Sequence, residues 1–432
     1  MSQAEAHPAK RRSLSWINRD GKLILMTRGI RSFGYGFLSV LLAIYLKKVL
    51  LLGEGAIVGA FLSAALIGSA GFTLFASVYA DRIGRRKMLI FLSVLMALSG
   101  VTFTLTKDPI ILFIAAAIGT LSPTGAEIGS FLPMEQAILP QCCTQEDRNP
   151  VFAAYNVVGT LSSAGGSFFA GIVDLLPDAF NLSELGSYHV MFALYAGLAV
   201  WAIILYLLLS RGAEVPTIGT RSERKPVSHE SKVRIAKLSS LFATDSFAGG
   251  FVLMSIIALW FNTKWGVPVS QISLVFGIAG VLTTISYYLA VRIAKRIGLL
   301  RTMVFTHIPS NILLILVPFA PTFLLAIALF LARQSISQMD VPTRQSYTVA
   351  IVPPEERMFA AGVTSVSRNL AQAVSPSIST QAMEIVNSAP FVIGGSLKIV
   401  YDVAVYFSFR NIRPPEESNL EEPKSKGKSR RS

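Results

Sequence analysis

The chain has 432 residues, of which 52% are hydrophobic and only 15% are charged. This composition is too apolar and too poor in charge for an ordinary soluble domain, so it indicates a protein embedded in lipid. The formal net charge of +14 does not indicate a nucleic-acid-binding protein, because the basic residues are dispersed among short polar segments.

Apolar runs of about 20 residues, the length that spans a bilayer core, recur along the whole chain. They predict about twelve transmembrane helices, because a backbone exposed to lipid must satisfy its own hydrogen bonds. The first six predicted spans are Leu23–Leu46, Gly55–Tyr79, Met88–Thr106, Pro109–Ile138, Val151–Val173 and Tyr188–Ser210. The second six are Ile235–Phe261, Ser270–Arg292, Leu300–Ala320, Thr322–Thr343, Met358–Gln381 and Ser388–Phe409.

The same pattern predicts the domain organisation. The expected parts are a polar N-terminal tail, a six-helix bundle, a hydrophilic linker, a second six-helix bundle and a C-terminal tail, at residues 1–22, 23–210, 211–234, 235–410 and 411–432. Cys142 and Cys143 are adjacent, which is neither a disulfide framework nor a metal-ligand spacing. We expect these two cysteines to be incidental, and we also expect no metal and no cofactor.

The distribution of basic residues predicts the orientation in the membrane. If both termini are cytoplasmic, the inner segments carry about thirty Lys and Arg residues and the outer segments about four, as the positive-inside rule requires. The outer ones are Lys47, Lys48, Lys107 and Lys264. We expect a multi-pass protein of the plasma membrane with both termini in the cytoplasm.

The second half of the chain repeats the first at three places. The matched segments are residues 31–33 with 245–247, residues 82–84 with 296–298, and residues 133–136 with 342–345. Two repeated bundles that meet at a site near the membrane midplane are typical of secondary transporters that work by alternating access.

The loop between the second and third spans carries a motif. Residues 77–87 read Ser-Val-Tyr-Ala-Asp-Arg-Ile-Gly-Arg-Arg-Lys. This segment closely resembles the signature loop of the major facilitator superfamily, with Ser77 in place of the family's first glycine. The resemblance implies an all-α membrane fold of twelve helices in two pseudo-symmetric six-helix bundles. It also implies a cytoplasmic gate at Asp81, Arg82, Gly84, Arg85 and Arg86, in which the Asp81 carboxylate meets the N-terminal end of helix eleven.

Ionisable residues inside the predicted spans are candidate functional residues, because a charge at the centre of a span costs about 2.5 to 3.5 kcal/mol on insertion scales. Arg31 and Glu127 lie at similar depth and are expected to pair, and Asp245 and Arg333 are expected to repeat that pair with exchanged signs. We expect these four residues to form a central polar cluster that binds the substrate and exchanges partners during transport. The alternative is that they are buried salt bridges that set helix register.

The remaining charges inside the spans rank below these four. Arg28, Asp340 and Arg368 are secondary candidates for the central cluster. Lys398 and Asp402 are four residues apart on one helix and are expected to neutralise each other.

These features predict a secondary active transporter of a small organic solute, and not an enzyme. The first hypothesis is proton-coupled efflux of amphiphilic compounds, with Glu127 and Asp245 exchanging the proton. The alternative is an organic-anion or phosphate-ester carrier that uses the intramembrane arginines Arg28, Arg31 and Arg333. A non-transporting receptor or a membrane enzyme is less favoured, because no nucleotide loop or nucleophile motif supports it. The expected partners are the substrate, a proton and the lipid bilayer, with no nucleic acid, and the protein is expected to act as a monomer.

Overall fold

The computed structural model describes residues 17–53, 55–126, 130–144, 147–214, 228–350, 353 and 356–410. Its elements in the first half are α1 (Arg19–Ile44), α2 (Gly55–Ile83), α3 (Arg85–Leu105), α4 (Pro109–Ile118), α5 (Leu132–Ile138), α6 (Arg148–Phe169), α7 (Leu176–Phe180) and α8 (Glu184–Leu207). Those in the second half are α9 (His229–Phe251), α10 (Met254–Trp265), α11 (Val269–Ile297), α12 (Leu299–Leu316), α13 (Phe323–Gln334), α14 (Asp340–Ala350), α15 (Arg357–Ile385) and α16 (Ala389–Phe409).

These helices form the predicted twelve membrane crossings in two six-helix bundles. In the described part of the chain, nine helical segments are long and apolar enough to cross a membrane, and α9 with α10 forms one of them. The short apolar helices α4 and α13 are continued by α5 and α14, and the 29-residue α15 provides the twelfth crossing. The prediction of an all-α membrane fold with twelve spans is therefore confirmed.

Three predicted spans are interrupted instead of continuous. The fourth breaks after Ile118, where Thr120 and Gly125 have positive φ angles of 52° and 71°. The seventh breaks between α9 and α10, and the tenth between α13 and α14. Broken helices expose backbone groups that other helices must satisfy. The carbonyl of Pro123 accepts hydrogen bonds from both the backbone N–H and the hydroxyl of Ser255, on the other half of the chain.

The internal repeat is visible in the backbone. Gly84 joins α2 to α3 with a φ of 103°, and Gly298 joins α11 to α12 with a φ of 89°. A side chain at these angles is strained, so a glycine at each position lets two long helices follow each other without a longer loop.

Because the number of crossings is even, both ends of the described chain lie on the same side of the bundle. The backbone N–H of Asn18 donates to the carbonyl of Cys142, and that of Ser210 donates to the Asp20 carboxylate. In the second half, the Tyr347 hydroxyl donates to the carbonyl of Phe409. We call this the terminus side, and the opposite side of the bundle the far side.

Candidate functional site

A group of polar side chains in the first half surrounds the carboxylate of Glu135 on α5. Arg31 on α1 binds it through both terminal nitrogens, with Nη1–Oε1 at 3.0 Å and Nη2–Oε2 at 2.8 Å. Tyr155 on α6 and Tyr206 on α8 donate their hydroxyls to it at 2.6 and 2.7 Å, and Thr27 Oγ1 donates at 3.3 Å. We call these five residues the first-half cluster.

The first-half cluster is sealed inside its bundle. Arg31 and Glu135 are both 0% exposed, and the Arg31 guanidinium lies 4.1 Å from the centroid of the Phe131 ring. Both carboxylate oxygens already accept several charge-assisted or hydroxyl hydrogen bonds, so the charge pair is compensated without a ligand. Because its members come from α1, α5, α6 and α8, the cluster holds four helices in register.

A second group of charges lies at the equivalent place in the second half. Asp245 on α9 binds Lys398 Nζ of α16 through Oδ1 at 2.6 Å and Arg344 Nη1 of α14 through Oδ2 at 2.9 Å. Asp340 also binds Arg344 Nη1, at 2.8 Å. All four residues are buried, with exposed fractions of 8% or less. We call them the second-half cluster.

Two further arginines lie beside the second-half cluster, and neither forms an ion pair with a carboxylate among the described residues. Arg333, at the end of α13, was predicted to pair with Asp245. It instead donates to the side-chain oxygen of Gln334 at 2.5 Å. Arg368 on α15 donates to the Ser246 hydroxyl at 3.0 Å. Arg333 is buried and Arg368 is half-buried, and their bonded partners are neutral.

Arg28 on α1 is a further buried basic residue of the first half. It lies one turn before Arg31, with its guanidinium 4.6 Å from the centroid of the Tyr155 ring.

The ion pairs differ in membership from those predicted. Arg31 pairs with Glu135, while its predicted partner Glu127 lies outside the described residues. Asp245 pairs with Arg344. The two pairs do have exchanged signs, and the repeat contained the signal, since Glu135 and Arg344 occupy matched positions in the segments 133–136 and 342–345.

The expected Lys398–Asp402 pair is wrong, because neighbouring helices supply better-placed partners. Lys398 binds Asp245, whereas Asp402 accepts a bond from Asn311 Nδ2 at 3.2 Å and lies 2.8 Å from His307 Nδ1. His307 and Asn311 belong to α12, and sequence analysis did not single them out.

The motif residues between α2 and α3 are placed at the terminus side. Gly84 forms the tight turn, and Arg82 is exposed. Arg85 donates to a carbonyl of α5, and Arg86 donates to two carbonyls at the end of α8. These bonds anchor α3 within the first half, and a cation at a helix C-terminus is electrostatically favoured. The side chain of Asp81 lies outside the described part of the structure, so the predicted gate stays a prediction.

The polar contacts that the structure describes between the two halves lie toward the far side. Lys47, three residues after the end of α1, binds Glu384 near the end of α15 at 2.6 Å, and the same carboxylate oxygen accepts the N–H of Gly55 at 2.6 Å. Further inter-half contacts are Ser63–Ser377, Asp174–Ser270 and Ser255 with the Pro123 carbonyl. The halves are therefore closed against each other on the far side.

Comparison with known families supports the same fold. The Major Facilitator Superfamily model matches residues 24–245 and again residues 239–432. An uncharacterized membrane protein of Saccharomyces cerevisiae is 27% identical over 428 residues, which cover 91% of this chain and 95% of that protein.

Solved structures agree with this match. A D-xylose–proton symporter superposes with a TM-score of 0.72 at 15% identity, over 89% of this chain and 97% of the other. A peptide transporter in complex with sulfate also gives a TM-score of 0.72, at 13% identity, over 93% and 96% of the two chains. At these identities the likeness establishes the fold alone.

Proposed function

The chain belongs to the major facilitator superfamily and is a multi-pass membrane transporter, and we propose that its substrate is a small organic anion moved by alternating access. The observation that carries this proposal is the presence of two arginines, Arg333 and Arg368, bonded only to neutral side chains beside the second-half cluster. A buried charge without an opposite charge is costly, because desolvation is not repaid.

The local charge balance supports an anionic substrate. In the second half, the described residues in and around the second-half cluster include four basic side chains, namely Arg333, Arg344, Arg368 and Lys398. The described carboxylates there are Asp245, Asp340 and Asp402. A carboxylate or phosphate group fits this excess of positive charge, since planar guanidinium groups bind such groups through two parallel hydrogen bonds.

The four central residues predicted from sequence receive different roles in this proposal. Arg333 remains a candidate for substrate contact, together with the secondary candidates Arg28 and Arg368. Arg31 and Asp245 are proposed as positioning residues, because each is held by short bonds to oppositely charged side chains.

Efflux of amphiphilic compounds is the second candidate function. Its support is the pair of half-buried aromatics at repeat-matched positions, Phe33 on α1 and Phe247 on α9. Phe33 lies 5.4 Å from Phe169, and Phe247 lies 5.4 Å from Phe251, measured between ring centroids. Such rings offer apolar area to a lipophilic solute.

Ligand-induced stabilisation of the purified protein distinguishes the two candidates. The probes are citrate and glucose 6-phosphate as anions and tetraphenylphosphonium as a lipophilic cation. A ligand at about 100 times its dissociation constant stabilises the folded state by about 2.7 kcal/mol. We expect the anions to raise the unfolding temperature, and a response to the cation alone would favour amphiphile efflux.

Matched arginine variants link this response to the site. Arg333→Gln and Arg368→Gln are expected to abolish the anion response. Arg292→Gln is the control, because Arg292 is an exposed arginine on α11 that bonds to the Tyr288 hydroxyl. An anion response that survives both site variants would contradict the proposed binding residues.

The proposal also covers the orientation of the chain, the membrane that holds it and the ion that drives transport. We infer cytoplasmic termini from the excess of basic residues in the inner segments, and we propose the plasma membrane as the location. The structural likeness to a D-xylose–proton symporter supports a proton as coupling ion. Labelling of Lys107→Cys in whole cells by an impermeant maleimide tests the orientation, because Lys107 is exposed on the far side.

A further inference from the structure

A buried histidine and a buried aspartate face each other away from the interface of the two halves. His307 on α12 is 3% exposed and Asp402 on α16 is 0% exposed, and His307 Nδ1 lies 2.8 Å from Asp402 Oδ1. Asn311, one turn after His307, donates to Asp402 Oδ2 at 3.2 Å. Histidine is the side chain whose unperturbed titration falls between pH 5 and 8.

This pair is connected to the second-half cluster through one lysine. Lys398 precedes Asp402 by one helical turn on α16, and its Nζ lies 2.6 Å from Asp245 Oδ1. Residues four apart on a helix lie on the same face, so the Asp402 carboxylate is also available to Lys398. Two carboxylates on different helices therefore compete for a single ammonium group.

We propose that His307 and Asp402 form a proton-binding switch that controls the ion pair between Lys398 and Asp245. A proton taken from water converts the His307 imidazole to imidazolium. The imidazolium then pairs with the Asp402 carboxylate, so Lys398 stays bound to Asp245. When the proton returns to water, Asp402 is bonded only to the neutral side chains of His307 and Asn311. Its carboxylate then attracts the Lys398 ammonium group away from Asp245. Asp245 is then held by Arg344 alone, so α9 is bound less tightly to α16.

The other charged groups around His307 are already bonded within the described structure. On α14, which packs against α12, Asp340 and Arg344 bind each other. On α13, Arg333 bonds to Gln334, and on α16 the Tyr401 ring lies 6.2 Å from the imidazole. Asp245 binds both Lys398 and Arg344, so it is the group whose partner can change.

The location of the switch gives it a distinct role. α12 and α16 pack against each other, and α16 packs against α9, which carries Asp245. Protonation at His307 would thus bias the arrangement of α9 without occupying the substrate region. The inference rests on the proposed transport function, but it can be tested with no substrate present.

Two measurements on the full-length protein test the switch. The chain has four histidines, His7, His189, His229 and His307. Replacing the first three by glutamine leaves His307 as the single imidazole, whose titration is followed by nitrogen-15 NMR in lipid nanodiscs. This design keeps the proposed switch intact, so it does not depend on the stability of a His307 variant.

The second measurement follows the distance between the halves across the far side. Spin labels replace Lys107 and Thr322, which are exposed on the far side of the first and second halves, after Cys142 and Cys143 are changed to serine. Their distance distribution is recorded from pH 5 to pH 9 by pulsed electron resonance. We expect the distribution to change with the same midpoint as the His307 titration.

His307→Gln keeps a hydrogen-bond donor for Asp402 but cannot titrate in this range, and we expect it to abolish the change in distance. His189→Gln is the control and should leave the change intact. The proposal is overturned if His307 does not titrate between pH 5 and pH 9. It is equally overturned if the distance does not depend on pH, or if its pH dependence survives His307→Gln. Failure of anion binding would leave these results unaffected.

Discussion

Glu135→Gln tests whether the first-half cluster holds the bundle together. The amide keeps the shape of the side chain but removes its charge, so Arg31 loses the carboxylate that it binds through both terminal nitrogens. The amide nitrogen would also face donors, because each carboxylate oxygen now accepts bonds from Arg31 and from a tyrosine, at 2.6 to 3.0 Å. Removing one partner of a buried pair costs about 3 to 5 kcal/mol. We therefore expect Glu135→Gln to lower the free energy of unfolding by about that amount.

The assay is equilibrium unfolding of the purified protein by sodium dodecyl sulfate in mixed micelles. Glu230→Gln is the matched control, because Glu230 pairs with Arg234 on an exposed turn of α9. An exposed pair of this kind is worth less than about 1 kcal/mol. If Glu135→Gln destabilised the protein no more than Glu230→Gln, the buried pair would not stabilise the bundle and the reasoning would fail.

Three further predictions concern a turn, a thiol and the far-side closure. Gly84→Ala is expected to cost about 1 to 3 kcal/mol of folding free energy, because alanine is strained at a φ of 103°. Cys142 is expected to react slowly with maleimide at pH 8, because burial raises the pKa of its thiol to about 11 and only the thiolate attacks. Glu384→Gln is expected to increase the far-side distance between spin labels at Lys107 and Thr322, because it removes the Lys47 ion pair.

Each of these has a matched comparison. Gly197→Ala, in the interior of α8 with open space around its Cα, should be neutral or stabilising, so an equal effect of both substitutions would contradict the turn argument. Cys142 labelling in a Cys143→Ser variant is read against Lys107→Cys in a variant that lacks both native cysteines, because Lys107 is exposed. Equal rates would count against a buried thiol. Glu184→Gln, an exposed change on the far side, should leave the spin-label distance as it is.

The fold followed from the sequence because its determinants are local. A span requires about 20 apolar residues, and each such run can be recognised without knowing its neighbours. The turn at Gly84 and its copy at Gly298 were likewise found by sequence offset, and both have positive φ. The break near Val252 was less visible, because the flanking residues are as apolar as the helices that it interrupts. The breaks near Gly125 and Ser335 lie in the more polar stretches 122–125 and 335–340, but such a stretch inside a span does not by itself show where a helix ends.

The candidate site was predicted only in outline. The repeat placed Asp245 opposite Arg31 and indicated a pair with exchanged signs. The choice of partners depended on which helix faces meet, and the structure pairs them with Arg344 and Glu135. Depth along a helix can be counted from sequence, but the direction of a side chain around the bundle cannot.

The sequence by itself determined the membrane class, the two repeated bundles and the presence of charges that need partners. Lys398 and Asp402 are four residues apart on the same helix. Only the tertiary structure decided that Lys398 binds Asp245 and that Asp402 lies against His307. The physical reason is that the energy of a buried charge depends on its nearest opposite charge and its hydrogen bonds. These come from helices that are far apart in the chain and meet only when the bundle has packed.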